Sequence, residues 1–143
     1  MSGEQIDGHV ADALVRQATE AAQLAYAPYS RFHVGAALLT ADGQVHTGAN
    51  VENRSYSMSI CAERTAVVKA VTASATPLEI VAVAVVESGG GPCAPCGGCR
   101  QIIAEFAGPD TLLIYRDARG TFKRATITEA LPDARAFLTG PPA

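Results

Sequence analysis

Hydrophobic positions along this chain switch between a helical and an extended period, and the switches predict its elements. Asp7 can cap a helix over about Gly8–Tyr26, with Val10, Leu14, Ala18, Ala21 and Leu24 near one face and Pro28 as its stop. Phe32–Thr40 and Gln44–Val51 read as two strands around an Asp42-Gly43 hairpin turn. Ile60–Thr72 is apolar and rich in helix formers. After Pro77, the near-continuous Val/Ala run of Ile80–Val86 predicts a strand buried on both faces. Gly97–Phe106 then reads as a helix ended by Gly108-Pro109. Leu112–Tyr115 and Thr121–Ile127 read as strands around Asp117–Gly120, and Thr128 can cap a last short helix that meets Pro132. This order predicts an α/β fold in three layers, α-β-α, with one mixed five-stranded sheet. The second and third helices act as right-handed crossovers between strands that run parallel.

The 143 residues predict a single domain with a frayed tail at about 140–143. Hydrophobic content of 48% excludes a disordered chain. Charged residues make up 17%, below the usual quarter, which points to surface hidden in an oligomer. A net charge of −3 and the absence of a basic run argue against nucleic-acid partners. No apolar run is long enough to span a membrane, and Met1–Asp7 carries no signal-peptide pattern, so the chain reads as cytoplasmic. In a reducing compartment, four crowded cysteines suggest metal or catalysis over disulfides.

Cys61-Ala62-Glu63 and Pro95-Cys96-Gly97-Gly98-Cys99 carry the chemistry. Cys96 and Cys99 stand on one side of a helical turn, and Cys61 opens another helix. Helix N-termini stabilise thiolates. Three thiolates with a fourth position left open for water are the plan of a catalytic zinc site, with one Zn²⁺ per subunit. Glu63, two residues after a ligand and not itself one, fits the proton shuttle of a hydrolytic deaminase. Three thiolates leave the zinc unit with a formal negative charge. Arg64 is placed to donate to the sulfurs and tune that charge. Pro92-Cys93-Ala94-Pro95-Cys96 matches the same spacing, but puts Pro95 between the ligands, so Cys96 and Cys99 are the expected pair and Cys93 a spare loop thiol.

The residues Tyr29-Ser30-Arg31-Phe32-His33-Val34-Gly35-Ala36-Ala37-Leu38, Thr47-Gly48-Ala49-Asn50-Val51-Glu52-Asn53, Ser55-Tyr56, Cys61-Ala62-Glu63-Arg64-Thr65-Ala66 and Pro95-Cys96-Gly97-Gly98-Cys99-Arg100-Gln101 resemble the small, free-standing cytidine deaminases. The resemblance spans roughly residues 10 to 132. It implies a homotetramer that hydrolyses cytidine and 2′-deoxycytidine to uridine and 2′-deoxyuridine plus ammonia, in pyrimidine salvage. It implies that Cys61, Cys96 and Cys99 hold zinc and that Glu63 shuttles protons. It further implies that Asn50 and Glu52 bind the ribose 3′-OH, that Phe32 walls the base pocket, and that Tyr56 reaches a neighbouring subunit's site. Two apart on a strand, Asn50 and Glu52 would share a face, an amide and a carboxylate able to bind one hydroxyl.

Two departures bear on specificity. The family's last motif usually runs Leu-Pro-x-x-Phe, with the aromatic closing a neighbour's pocket. Here Leu131-Pro132-Asp133-Ala134-Arg135 puts an arginine there and the aromatic at Phe137, so either Phe137 or Arg135 fills that role. Arg54 is also larger than the residue expected at its position. The alternatives are a deaminase of a cytosine-nucleoside antibiotic or other modified nucleoside, a polynucleotide-editing enzyme, and a non-catalytic zinc-stabilised interaction module. A structural zinc site has no use for Glu63.

Overall fold

The computed structural model describes residues 1–133, so Arg135, Phe137 and the 140–143 tail lie outside the described residues. The elements run α1 (Gly8–Ala22), β1 (Val34–Thr40), β2 (Val45–Ala49), α2 (Ala62–Ala73), β3 (Ile80–Glu87), α3 (Gly97–Ala104), β4 (Ala107–Arg116), β5 (Phe122–Thr126) and α4 (Ile127–Ala130). The strands form one five-stranded mixed sheet in the order β2-β1-β3-β4-β5. β1 is antiparallel to both β2 and β3, β3 and β4 are parallel, and β5 returns antiparallel. Both α2 and α3 therefore join strands of the same direction, as the sequence order predicts.

Each sheet face has its own core. Leu14 and Ala18 of α1 pack on Ala37, Leu39, Ala82 and Ala84. On the other face, Ala66 and Ala70 of α2 and Ile103 of α3 pack on Leu38, Val83, Val85 and Leu113. β3 contributes to both, which is why its run contains almost no polar residue. Leu14, Leu38, Ile103 and Leu113 are fully buried, each worth about 1.5–3 kcal/mol relative to exposure. The helices lie close because glycine faces them. A Cβ on Gly35 would strike Ala18 and Ala22 of α1, and one on Gly48 would stand 2.6 Å from the Ala62 carbonyl oxygen and closer still to Ala66 N.

Several predicted boundaries move. α1 ends at Ala22, four residues before Tyr26, and Leu24 is 82% exposed instead of lying on the buried face. The chain leaves the helix because Tyr26 is recruited to the sheet margin, where its N–H donates to Asn50 O and its carbonyl accepts from Glu52 N. Gly108-Pro109 does not terminate α3 but lies inside β4, which starts at Ala107. The pairing with β3 shifts there, and the buried Thr111 hydroxyl bridges the irregularity, donating to Ile80 O at 2.7 Å and accepting from Gly108 N. Thr126, not Thr128, caps α4, through a reciprocal box with Glu129. Thr128 donates instead to Pro109 O.

The registers decide where the site falls. Val34 at the start of β1 pairs with Glu87 at the end of β3, and Gly35 pairs with Ala49 at the end of β2. One end of the sheet thus gathers the entry to β1, the exit of β2 and the exit of β3, and α2 and α3 begin beyond it. Ligands of open α/β sheets bind at such carboxyl ends.

Candidate active site

Cys61 is the N-cap of α2 and Cys96 the N-cap of α3. Cys96 Sγ accepts from the Cys99 N–H at 3.4 Å, doing with sulfur what a capping hydroxyl does with oxygen. The caps leave both sulfurs at positive helix ends, and Cys99 enters from the first turn of α3. The Sγ atoms of Cys61, Cys96 and Cys99 all lie within 4.8 Å of one another. Tetrahedral zinc with Zn–S near 2.3 Å needs sulfurs about 3.8 Å apart, so this soft donor set fits zinc with little adjustment. Cys93 does not belong to this cluster, in agreement with the expected ligand choice.

Glu63 is 5% exposed and its Oε2 lies 3.4 Å from Cys99 Sγ. Burial pushes its carboxyl above the ordinary glutamate range, outweighing hydrogen bonds from its own backbone and from Cys99. Cys61 is held down at about 6, first by the hydrogen bond from Cys99 and to a lesser degree by Cys96 and by the charge of Arg64. Cys99 moves the opposite way because it is the donor in that pair and is buried. Zinc binding needs all three sulfurs as thiolates. Binding zinc releases the remaining protons.

The cluster forms the floor of a cleft of about 260 Å³, walled by Ser30, Phe32, Val34, Asn50, Glu52, Ala62, Glu63, Cys93 and Ala94. Of the residues singled out in the sequence, Phe32, Asn50, Glu52, Glu63 and the three ligands meet here. Asn50 and Glu52 lie beyond the strand expected to hold them, because β2 stops at Ala49 and the chain after it is tied at Val51 by isolated bridges to Tyr26 and Ile60. Much of each polar side chain serves the backbone. Asn50 Oδ1 accepts from Val34 N and its Nδ2 donates to Phe32 O, both at 2.8 Å. Glu52 Oε1 accepts from Tyr29 N and Ser30 N at 3.0 Å each. Among the described residues, the second Asn50 Nδ2–H and Glu52 Oε2 have no hydrogen-bond partner, and both residues line the cleft.

Tyr56 is not part of this cleft. It stands 75% exposed in a short 3-10 turn, edge-on to Tyr29, and lines a second depression with Tyr29, Ser30, Glu52 and Ser59. Arg64 lies close enough to favour the Cys61 thiolate by its charge, and no hydrogen bond from it to a sulfur is recorded among the described residues. Cys93 is a loop thiol outside the ligand cluster, as expected, and it lines the cleft. Burial, then the charges of Glu63 and Glu87, push it up to about 12, which disfavours its thiolate. Ser30 and Val34 were not singled out by the sequence, although both lie in its Tyr29–Leu38 motif.

Residues 9–115 match the family model described as the cytidine and deoxycytidylate deaminase zinc-binding region. The chain belongs to this deaminase family. It is 46% identical over 121 residues to a cytidine deaminase of Halalkalibacterium halodurans, covering 85% of this chain and 90% of that one. It is 44% identical over 117 residues to a cytidine deaminase of Mycobacterium tuberculosis, covering 82% and 83%. The crystal structure of a cytidine deaminase from Burkholderia pseudomallei superposes with a TM-score of 0.78 at 44% identity, covering 90% of this chain and 98% of that one. The deaminase fold and its three-cysteine zinc site are thus those of the chain described here.

Proposed function

We propose that this deaminase hydrolyses cytidine and 2′-deoxycytidine to uridine and 2′-deoxyuridine, releasing ammonia. The observation that carries the reading is the buried Glu63 carboxyl beside three convergent sulfurs, at the floor of a cleft whose mouth holds Asn50 and Glu52. The relatives named for cytidine deamination supply the substrate class.

Cys61, Cys96 and Cys99 would hold the zinc, which when bound would supply a Lewis acid able to make water acidic near neutral pH. Glu63 takes a proton from the attacking water and delivers it to N3 of the cytosine. With N3 protonated, C4 is electrophilic and accepts the water oxygen. Glu63 then moves the remaining proton of the new C4 hydroxyl to the 4-amino group; the C4–N bond breaks, the C4 carbonyl forms and the nitrogen leaves as ammonia. A carboxyl raised by burial is suited to both acid and base duty at neutral pH. Phe32 offers a face to the base. The free Asn50 N–H and Glu52 Oε2 act as donor and acceptor to the sugar 3′-OH, a contact common to ribose and deoxyribose. Arg64 offsets the excess negative charge of the thiolates.

The active unit is a homotetramer, with Tyr56 directed to a neighbour's cleft. Exposed Tyr26, Val51, Tyr56, Met58 and Ile60 beside the cleft, with Val68 and Val71 on α2, support an interface there. No helix among the described residues is long and apolar enough to cross a membrane. A cytoplasmic salvage role suits the free thiols.

Ultraviolet-monitored deamination by zinc-loaded protein tests the reading. Both nucleosides should be consumed and free cytosine spared, with no turnover by Glu63→Ala. Consumption of modified nucleosides alone would overturn the substrate assignment. Folded, zinc-replete protein inactive on every nucleoside would overturn the activity.

A further inference from the structure

We propose that Ser30 is a positioning residue that couples the base wall to the sugar anchor, setting nucleoside affinity without touching the reacting atoms. The inference rests on the nucleoside reading above and extends it to a residue with no assigned role.

Ser30 lies on the ridge between the cleft and the neighbouring depression, and it lines both. Its Oγ accepts from the Phe32 N–H at 3.0 Å. Its backbone N–H donates to Glu52 Oε1 at 3.0 Å. One residue thereby holds the aromatic wall with its side chain and the carboxylate with its backbone. Asn50 completes the arrangement by accepting from Val34 N and donating to Phe32 O, so Phe32 is fixed on both its N–H and its carbonyl.

The segment between these clamps needs such fixing. Arg31 sits at φ 59°, in the left-handed region that a non-glycine residue with a Cβ avoids. Its N–H donates to Ala27 O at 2.9 Å, closing the turn that imposes this conformation. Strained backbone of this kind persists where surrounding contacts over-determine it, and here those contacts come from Ser30, Asn50 and Glu52. The Ser30 hydroxyl is also foremost among the groups that hold the Glu52 carboxyl below the ordinary glutamate range. Removing the hydroxyl loosens Phe32 and leaves the Phe32 N–H without its partner. Glu52 keeps its bond from the Ser30 N–H, but a loosened turn carries that N–H with it, so base stacking and sugar binding weaken together. Glu63 and the sulfurs belong to α2 and α3 and do not depend on this turn.

The test is steady-state kinetics of zinc-loaded Ser30→Ala, Ser30→Thr, Glu52→Gln and the Ser30→Ala/Glu52→Gln double variant on cytidine and deoxycytidine. Zinc content and Tm are measured alongside. The expected result is a KM raised roughly tenfold in Ser30→Ala with kcat changed less than about twofold, since uniform binding is lost and chemistry is not. Ser30→Thr, which keeps the hydroxyl, should recover most of the affinity. The double variant should show less than the product of the single effects, because both act through one wall. A native KM in Ser30→Ala, an equal fall in kcat, or failure of Ser30→Thr to recover affinity would each overturn the proposal. Strictly multiplicative single effects would do the same. Absence of turnover by the wild-type protein would instead overturn the nucleoside reading beneath it.

Discussion

The sulfur of Cys99 lies 3.4 Å from Oε2 of Glu63, bringing together side chains 36 positions apart in the chain. One is a zinc ligand from α3 and the other a buried carboxyl from α2, so the contact is made by the packing of two helix starts. The proton carrier is thereby held at the edge of the metal site without occupying a ligand position.

Glu63→Gln keeps the volume of this side chain and removes its capacity to carry protons. Turnover should fall by at least the roughly 10²–10⁴-fold ascribed to general acid–base catalysis, while zinc stays stoichiometric. Because the native carboxyl is buried with its pKa raised, a neutral amide should cost little stability near neutral pH. Metal analysis and melting of the same sample would check this. A variant retaining a tenth of native activity would remove Glu63 from the role.

Gly48→Ala should damage the site from outside it. The added methyl would meet backbone of Ala62 and Ala66 in the first turns of α2, the helix that carries Cys61 and Glu63. Overpacking against rigid backbone costs about 1–3 kcal/mol, and relief requires α2 to move. Both Tm and zinc affinity should fall. Gly97→Ala, which meets open space, should leave the stability nearly unchanged. Native zinc affinity in Gly48→Ala would show that the helix can shift without disturbing its ligands.

Much of this arrangement was legible beforehand because its signals are local. Cys61 and Cys96 stand where helices begin, and the unbroken apolar run of β3 announces burial on both faces. What escaped depends on partners distant in sequence. Leu24 continues the α1 periodicity, but Tyr26 is drawn off to Asn50 and Glu52, and that competition shows only in the folded chain. Gly108-Pro109 looks like a helix stop, yet the β3–β4 pairing tolerates it through a register shift sealed by Thr111. In the sequence, Asn50 and Glu52 stand out as a pair of ligand groups. Their spacing gives no hint that half of their hydrogen-bonding capacity serves the Tyr29–Val34 backbone. Thr126-Ile127-Thr128-Glu129 did contain the capping signal for α4, and Thr128 was the wrong choice of threonine.

Cys93 should behave as a spectator thiol. Burial and the nearby carboxylates push it up to about 12, so its thiolate fraction at pH 8 is about 10⁻⁴. Cys93→Ser should retain one zinc per chain, and iodoacetamide at pH 8 should leave Cys93 unmodified in the zinc-loaded protein. Loss of zinc on substitution would make Cys93 a ligand after all. Rapid alkylation would contradict its burial among neighbouring carboxylates.

Glu52 should impose a pH dependence on stability, with a sign that follows from its hydrogen bonds. Ser30 and the Tyr29 N–H favour the charged carboxylate, so its pKa in the folded protein lies below the value of 4.5 it has when unperturbed. Such a group adds stability above its unfolded pKa and loses it as pH falls through the lower folded one. Glu52→Gln keeps an oxygen acceptor for the two backbone N–H groups but forfeits the charge. The variant should melt below the wild type near neutral pH, and the gap should narrow as the pH is lowered from about 5 toward 3. Because the carboxylate borders solvent, the gap should also shrink in high salt. A gap that is constant across this pH range would mean that the carboxylate charge contributes nothing, and that geometry alone anchors the turn bearing Phe32.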